Sequence, residues 1–405
     1  MHTILIGWEL GANRGHVVKL GAIAERLRAR GCRIAFAVQR PDALRAVRAE
    51  AEQSAIHQAP VWPGLLTTGG FRRHPGAVSY GDILADMGLR DSGVVEYLIR
   101  AWDTLLALVR PMAVVSEFAP ALQMAARGRV PVVATGTGFS LPPATLECFP
   151  PLDGRFDKPG YEEDVLLKIV NRAAERTGRT RYERLPEIGC ADAALPAVFS
   201  ELDPYAASRS ERPIAPFLGS PPAPAEAAGS EIFVYLNETM PPDSPALEAL
   251  CILAGQKHEV RAHVPQLDPD AHASLARAGV RLSAEPVPLP DIVQRSRIAV
   301  TNGGLGLASS ALACGLPLAV LPTDLEKMLN GRALERIGTG RSITLKENGR
   351  QRSAAAIAAA IAAAADDDAL SQRAREIAPS FRARLKRDPA DAVADIVMDL
   401  AAIRR

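Results

Sequence analysis

The chain has 405 residues, with 48% hydrophobic and 23% charged content, the composition of a soluble globular protein too long for one ordinary core. Two domains of roughly 200 residues are expected. A net charge of +1 removes any electrostatic case for nucleic acid or an anionic membrane as the main partner. Five cysteines, Cys32, Cys148, Cys190, Cys251 and Cys314, are scattered with no C-x-x-C pair, which predicts reduced thiols and a cytoplasmic location. No His or Cys cluster has metal-ligand spacing, so no metal is expected.

The first apolar run, residues 3–7, is too short for a signal peptide and predicts a strand. A turn over 11–15 leads into a helix over 16–30, whose Val17, Leu20, Ile23, Ala24 and Leu27 form the inward face and whose end is marked by Gly31. His16 opens this helix at the carboxyl edge of a parallel sheet, where doubly wound folds bind ligands. A helix start disfavours an imidazolium and leaves a neutral ring able to accept a proton, although a histidine there also serves as a simple cap or packing residue. A strand over 33–38 and a helix over 41–51 follow. Residues 58–81 have no period and are rich in Gly, Pro and aromatic residues, the composition of a binding loop. Helices over 92–109 and 119–127 alternate with strands over 112–115 and 130–134, and Glu117 falls where the first of these strands meets its helix. A carboxylate there stabilises its own helix start.

Residues 135–139 form a glycine turn with no helix directly after it, and a helix is expected over 162–176. Between 196 and 230 the composition shifts to Pro, Ala, Ser and Gly, as in an interdomain linker. Alternation resumes with a strand over 232–236, a helix over 244–253 and a strand over 260–263. The tract 354–365 is an alanine-rich helix, short of the roughly 20 residues that span a bilayer. Asp366-Asp367-Asp368 and Asp268-Pro269-Asp270 have Asp-x-Asp spacing but read as solvated faces. A last helix covers 390–403.

Residues 299–340 read AVTNGGLGLASSALACGLPLAVLPTDLEKMLNGRALERIGTG. An apolar strand ends in the turn Thr301-Asn302-Gly303-Gly304-Leu305-Gly306, a helix of small residues runs to Gly315, a strand covers 317–321 and a helix 324–337. Glycines at 303, 304 and 306 let backbone approach a ligand, and the N–H groups of a helix start favour an anion. A lone turn of this kind equally serves a helix packed closely on a sheet with no ligand. The longer spacing resembles the donor-binding signature of the family 1, GT-B-fold glycosyltransferases (UDP-glycosyltransferase-like proteins). Their pattern is a strand, His-Gly-Gly-x-Gly-Thr, a helix ending Gly-x-Pro, a strand, and Pro-x-x-x-Asp-Gln-x-x-Asn. Here the register holds without a gap through Gly315-Leu316-Pro317 and Pro322 to Asn330. Asn302 replaces the diphosphate-binding His, Leu307 a phosphate-binding Ser or Thr, and Glu326-Lys327 the sugar-binding Asp-Gln pair.

The resemblance implies an α/β chain of GT-B fold, two Rossmann-like domains facing across a cleft. The N-terminal acceptor domain would cover 1–205, a linker 206–230, the nucleotide-sugar domain 231–388, and a C-terminal helix over 389–405 would cross back to the first domain. It further implies inverting, metal-independent hexosyl transfer from a UDP- or dTDP-type sugar to a hydroxyl of a small-molecule acceptor. No cofactor is expected beyond that co-substrate, and the oligomeric state is unknown. The family's catalytic His stands in a Gly-His pair at the first turn, which matches Gly15-His16, and its orienting acidic residue matches Glu117. Trp8-Glu9-Leu10-Gly11 fits a bacterial variant of the opening, while the proline often found three residues after the His is here Lys19. On the donor side, Asn237 follows the strand where a Gly-Ser loop is common. Val287 and Leu289 flank Pro288 where bacterial relatives hold the base by main-chain groups. Ser309 and Ser310 stand near a ribose-binding position, or pack their helix on the sheet. Gly303, Gly304 and Gly306 would hold the diphosphate. Two rivals share these residues: a non-catalytic nucleotide-sugar-binding protein, and a nucleotide-sugar epimerase of the same fold.

Overall fold

The structure, a computed structural model, describes residues 2–11, 14–66, 77–225, 229–236, 243–347 and 350–403. Its contacts divide into two units, Met1–Phe217 with Arg387–Arg405, and Leu218–Lys386.

In the first unit the elements run β1 (Thr3–Trp8), α1 (Arg14–Ala29), β2 (Arg33–Val38), α2 (Arg48–Glu52), β3 (Ala55–Gln58), α3 (Tyr80–Leu84), α4 (Ser92–Val109), β4 (Ala113–Glu117), α5 (Pro120–Ala126), β5 (Val132–Gly136), α6 (Glu163–Arg176) and β6 (Ala193–Pro196). The six strands form one sheet in the order β3-β2-β1-β4-β5-β6. All of its pairings are parallel. Helices cover both faces, which is why Ile4, Leu5 and Ile6 are all fully buried and the strand lacks alternation. β1 pairs Trp8 with Glu117 of β4, so the segments that leave these two strands emerge side by side.

The helix expected over 41–51 is instead a 3₁₀ turn, Pro41–Val47, followed by the short α2. The edge strands β3 and β6 had no sequence signal. β3 has exposed or half-exposed positions throughout, and a strand with neither face sealed shows no hydrophobic period.

The second unit contains β7 (Glu231–Tyr235), α7 (Pro245–Gly255), β8 (Val260–His263), α8 (Pro269–Arg277), β9 (Arg281–Leu282), α9 (Leu289–Arg295), β10 (Ser296–Thr301), α10 (Leu305–Cys314), β11 (Leu318–Val320), α11 (Leu325–Ile337), β12 (Gly340–Ser342), α12 (Ala354–Ala365) and α13 (Asp368–Arg382). Its parallel sheet has the order β12-β11-β10-β7-β8-β9, the same winding as the first sheet read from the other edge. Both units are therefore doubly wound, Rossmann-like sheets. The alanine-rich α12 buries Ile357, Ala358 and Ile361 in the core. Asp268 and Asp367 cap α8 and α13 through backbone N–H groups, which accounts for both acidic triplets.

The last helix, α14 (Pro389–Ile403), belongs to the first unit and buries Ala390, Val393, Ala394 and Val397 there. Arg26 and Arg30 on α1 meet acidic residues just before and on it, Arg26 with Asp388 at 2.8 Å and Arg30 with Asp391 at 3.0 Å and Asp395 at 2.5 Å. Among the described residues no helix is long and apolar enough to cross a membrane.

Candidate functional site

In the first unit the ends of β1 and β4 bring three charged or titratable side chains together. His16 sits in the first turn of α1, and its Nδ1 lies 2.8 Å from Glu117 Oε1. Lys19, one turn further along α1, donates from Nζ to Oε1 at 2.9 Å and to Oε2 at 3.0 Å of the same carboxylate. The Glu117 side chain is wholly buried, while those of His16 and Lys19 are 14% and 9% exposed. Burial alone would push the Glu117 carboxyl up. The Lys19 charge and the His16 contact outweigh it and hold the group below the usual carboxylate range.

The imidazole is fixed on its other sides as well. Trp8 stacks on it with centroids 5.5 Å apart and planes at 20°, and the Phe118 ring lies at 6.4 Å. Phe118 adopts φ +43°, an unusual left-handed backbone for a bulky residue, and its carbonyl accepts from the Leu10 N–H at 3.0 Å. Gly11 has φ +86°, and a Cβ placed there would come within 2.4 Å of His16 Nε2. Only glycine leaves that nitrogen its space.

Glu9, two residues before Gly11 in the same opening, is fully buried and faces inward. Its carboxylate accepts from Trp62 Nε1 at 2.7 Å, from the Ala121 N–H at 3.0 Å and from the Leu122 N–H at 2.6 Å. It thus caps the first turn of α5 and pins the start of the loop after β3. Burial pushes its carboxyl up to about 7 against the pull of these donors. A proton held more firmly in the folded state stabilises the fold below about 4.5, and that stabilisation is lost as the pH rises to about 7. Glu163, also raised to about 7 by burial, acts in the same direction. Glu117 has the opposite sign, but its loss comes only at lower pH. Thermal unfolding should therefore show stability falling between about pH 5 and pH 7, by about 3 kcal/mol from Glu9. Glu9→Gln should flatten that slope, and an unchanged slope would count against this account.

In the second unit the signature turn has two kinds of glycine. Gly303 adopts φ +90°, and a Cβ there would meet Val320 Cγ1 at 2.6 Å and the Lys327 carbonyl at 3.0 Å. Gly304 and Gly306 have nothing within 4 Å of a built Cβ, so open space lies before the first-turn N–H groups of α10. Asn330 donates from Nδ2 to the Gly303 carbonyl at 2.9 Å and ties the turn to α11. Asn302 is buried and donates to the Leu321 carbonyl at 3.3 Å. Lys327 is also buried, with Nζ 3.0 Å from both Asp324 Oδ2 and Thr323 Oγ1.

These contacts bring Asn302, Gly303 and Lys327 together around one turn. Leu307 and Glu326 are half-buried near the starts of α10 and α11. Ser309 and Ser310 are buried within α10, facing the packed side of the helix. Val287 and Leu289 are half-buried at the start of α9. Asn237, residues 12–13 of the first turn, 67–76 of the expected binding loop and 226–228 of the expected linker lie outside the described residues. Among the described residues no group of three His, Cys, Asp or Glu is placed to hold a metal ion. Sequence reasoning gave Lys19 no role. Its i,i+3 spacing from His16 on one helix face was the available signal.

Residues 248–400 match the erythromycin biosynthesis protein CIII-like C-terminal domain. Over 87 residues the chain is 31% identical to the PGL/p-HBAD biosynthesis glycosyltransferase Rv2958c of Mycobacterium tuberculosis (strain ATCC 25618 / H37Rv), a stretch covering 22% of this chain and 20% of that protein. The matched stretch is thus about a fifth of that relative's length. The whole fold is similar to that of CalG4, the calicheamicin glycosyltransferase, with a TM-score of 0.68 at 18% identity, covering 99% of this chain and 98% of that chain. It is also similar to the glycosyltransferase VinC in complex with dTDP, with a TM-score of 0.64 at 15% identity, covering 99% of this chain and 100% of that chain. At such identities the likeness is one of fold, and it extends over both units.

Proposed function

We propose, for a chain whose residues 248–400 match the erythromycin biosynthesis protein CIII-like C-terminal domain and whose fold is similar to that of GT-B glycosyltransferases, that it is a glycosyltransferase. It moves a sugar from a UDP- or dTDP-sugar to a hydroxyl of a small-molecule acceptor, with inversion and without a metal or further cofactor. The observation that carries this reading is the part-buried His16–Glu117 contact of 2.8 Å at the carboxyl edge of the first sheet. With its hydrogen on Nδ1, directed at Glu117, the imidazole presents the Nε2 lone pair to the acceptor hydroxyl. Nε2 takes the proton as the acceptor oxygen bonds to the anomeric carbon. The bond from that carbon to the phosphate oxygen breaks on the opposite face, and the nucleoside diphosphate leaves with the electron pair. The open space before Gly304 and Gly306 and the first-turn N–H groups of α10 suit that diphosphate. The relative solved with dTDP and those named for calicheamicin and for PGL/p-HBAD biosynthesis support a dTDP-type donor and a natural-product acceptor.

The test is donor consumption with UDP- and dTDP-sugars against a mixed library of hydroxylated acceptors, with EDTA present and products read by mass spectrometry and anomeric NMR couplings. Retained configuration or a strict metal requirement would remove the corresponding part of the mechanism. A second reading, binding without transfer, is favoured by the commitment of Asn302 to Leu321 and of Lys327 to Asp324 within the fold. It predicts nucleotide binding with no product from any donor and acceptor pair.

A further inference from the structure

Glu117 has a partner that the resemblance does not assign. A wholly buried carboxylate whose sole companion is a neutral imidazole is driven towards its protonated form by desolvation. Once protonated it becomes a donor. Nδ1 of His16 would then accept from it, and the ring hydrogen would move to Nε2, the tautomer that cannot receive a proton from an acceptor hydroxyl. Lys19 opposes this sequence of events. Its Nζ bridges both carboxylate oxygens at 2.9 and 3.0 Å, and Oε1 is shared with His16 Nδ1 at 2.8 Å. The ammonium is itself nearly buried, with the Phe217 ring 5.8 Å from Nζ, so little water competes for it.

We propose that Lys19 is a positioning residue for the base: its charge keeps Glu117 an ionised, doubly anchored acceptor, which holds the hydrogen of His16 on Nδ1 and leaves Nε2 as the proton acceptor. The inference rests on His16 being the base. The surrounding groups leave this task to Lys19. From β1 and β4, Trp8 and Phe118 present uncharged rings to the imidazole. Glu9 directs its oxygens to Trp62, Ala121 and Leu122. Tyr80, whose ring lies 6.0 Å from that of Phe118, is kept neutral by burial, with the Glu9 and Glu117 charges acting in the same direction.

The experiment compares Lys19→Met and Lys19→Arg in the full chain. The first readout is the pair of imidazole ¹⁵N shifts of His16, identified among the seven histidines by their absence in His16→Gln. The second is the pH profile of donor-saturated turnover. Lys19→Met should move the ring towards the Nε2–H tautomer and shift the acid limb up by about one pH unit or more. Lys19→Arg, which keeps the charge, should restore both. An Nδ1–H signature and an unmoved limb in Lys19→Met, with only a lower plateau, would overturn the proposal and leave Lys19 a packing residue. If Lys19→Met does not fold, Lys19→Gln supplies the same readouts with a donor but no charge. Absence of turnover in the unmodified protein would count against the transferase reading, while the tautomer measurement would still decide the role of Lys19.

Discussion

His16→Ala is expected to lower turnover by roughly 10²–10⁴-fold, the usual worth of a positioned base, while nucleotide-sugar affinity stays nearly unchanged. The imidazole is held by Glu117 at 2.8 Å and by the Trp8 stack, all within the first unit, whereas the turn proposed to hold the diphosphate belongs to the second. Removing the ring therefore removes proton transfer and leaves the donor contacts in place. Glu117→Gln should also reduce turnover, because the amide cannot stabilise a protonated ring, but it carries a second penalty. Lys19 is nearly buried against that carboxylate, and stripping one partner from a buried ion pair costs about 3–5 kcal/mol. Calorimetric titration with UDP and dTDP, steady-state kinetics and thermal unfolding separate these effects. Turnover that survives His16→Ala would remove His16 from the mechanism and leave the fold untouched.

Gly303→Ala and Gly306→Ala are expected to fail in opposite ways. At Gly303 the backbone has φ +90°, which costs an L-residue roughly 1–2 kcal/mol, and the new methyl would collide with Val320 and the Lys327 carbonyl. Overpacking adds roughly 1–3 kcal/mol, so the second unit should lose roughly 2–5 kcal/mol of stability. Gly306 has ordinary helical geometry and open space beyond its Cα. Alanine there should leave the unit as stable or about 0.5–1 kcal/mol more so, as alanine does in a helix. The same methyl would stand where a phosphate approaches the first-turn N–H groups. Losing one charge-assisted hydrogen bond, about 1.5–3 kcal/mol, should weaken nucleotide binding about tenfold or more. Equal nucleotide affinity in Gly306→Ala and the unmodified chain would place the diphosphate elsewhere.

Much of this organisation was legible in the residues. The buried strands declared themselves as apolar runs, α1 as a 3.6-residue period from Val17 to Leu27, and the turn at 301–306 through its glycines. The edge strands β3 and β6 were not legible, because short strands at a sheet margin have no sealed face to impose a pattern. The 3₁₀ turn at Pro41–Val47 was read as helix because its apolar positions satisfy either spacing over so few residues. In the candidate site, a contact between His16 and Glu117 was expected from a family pattern, whereas the Lys19 contact and the inward turn of Glu9 were not.

The sequence by itself determined the alternation of the buried strands with helices in both units and the glycine turn at 301–306. Each depends on interactions within a few residues: side-chain period, turn geometry, and the left-handed φ that glycine accepts without strain. Only the tertiary structure decided which charges meet. The parallel register that sets Trp8 beside Glu117 places His16 and Lys19 on a carboxylate 101 and 98 positions away. It also turns Glu9 into the core to cap α5, 112 positions on. Burial then sets the two carboxylates apart, because Glu117 meets a cation and Glu9 meets only N–H donors. No local pattern encodes that difference, because desolvation and charge pairing depend on what the fold packs against each group.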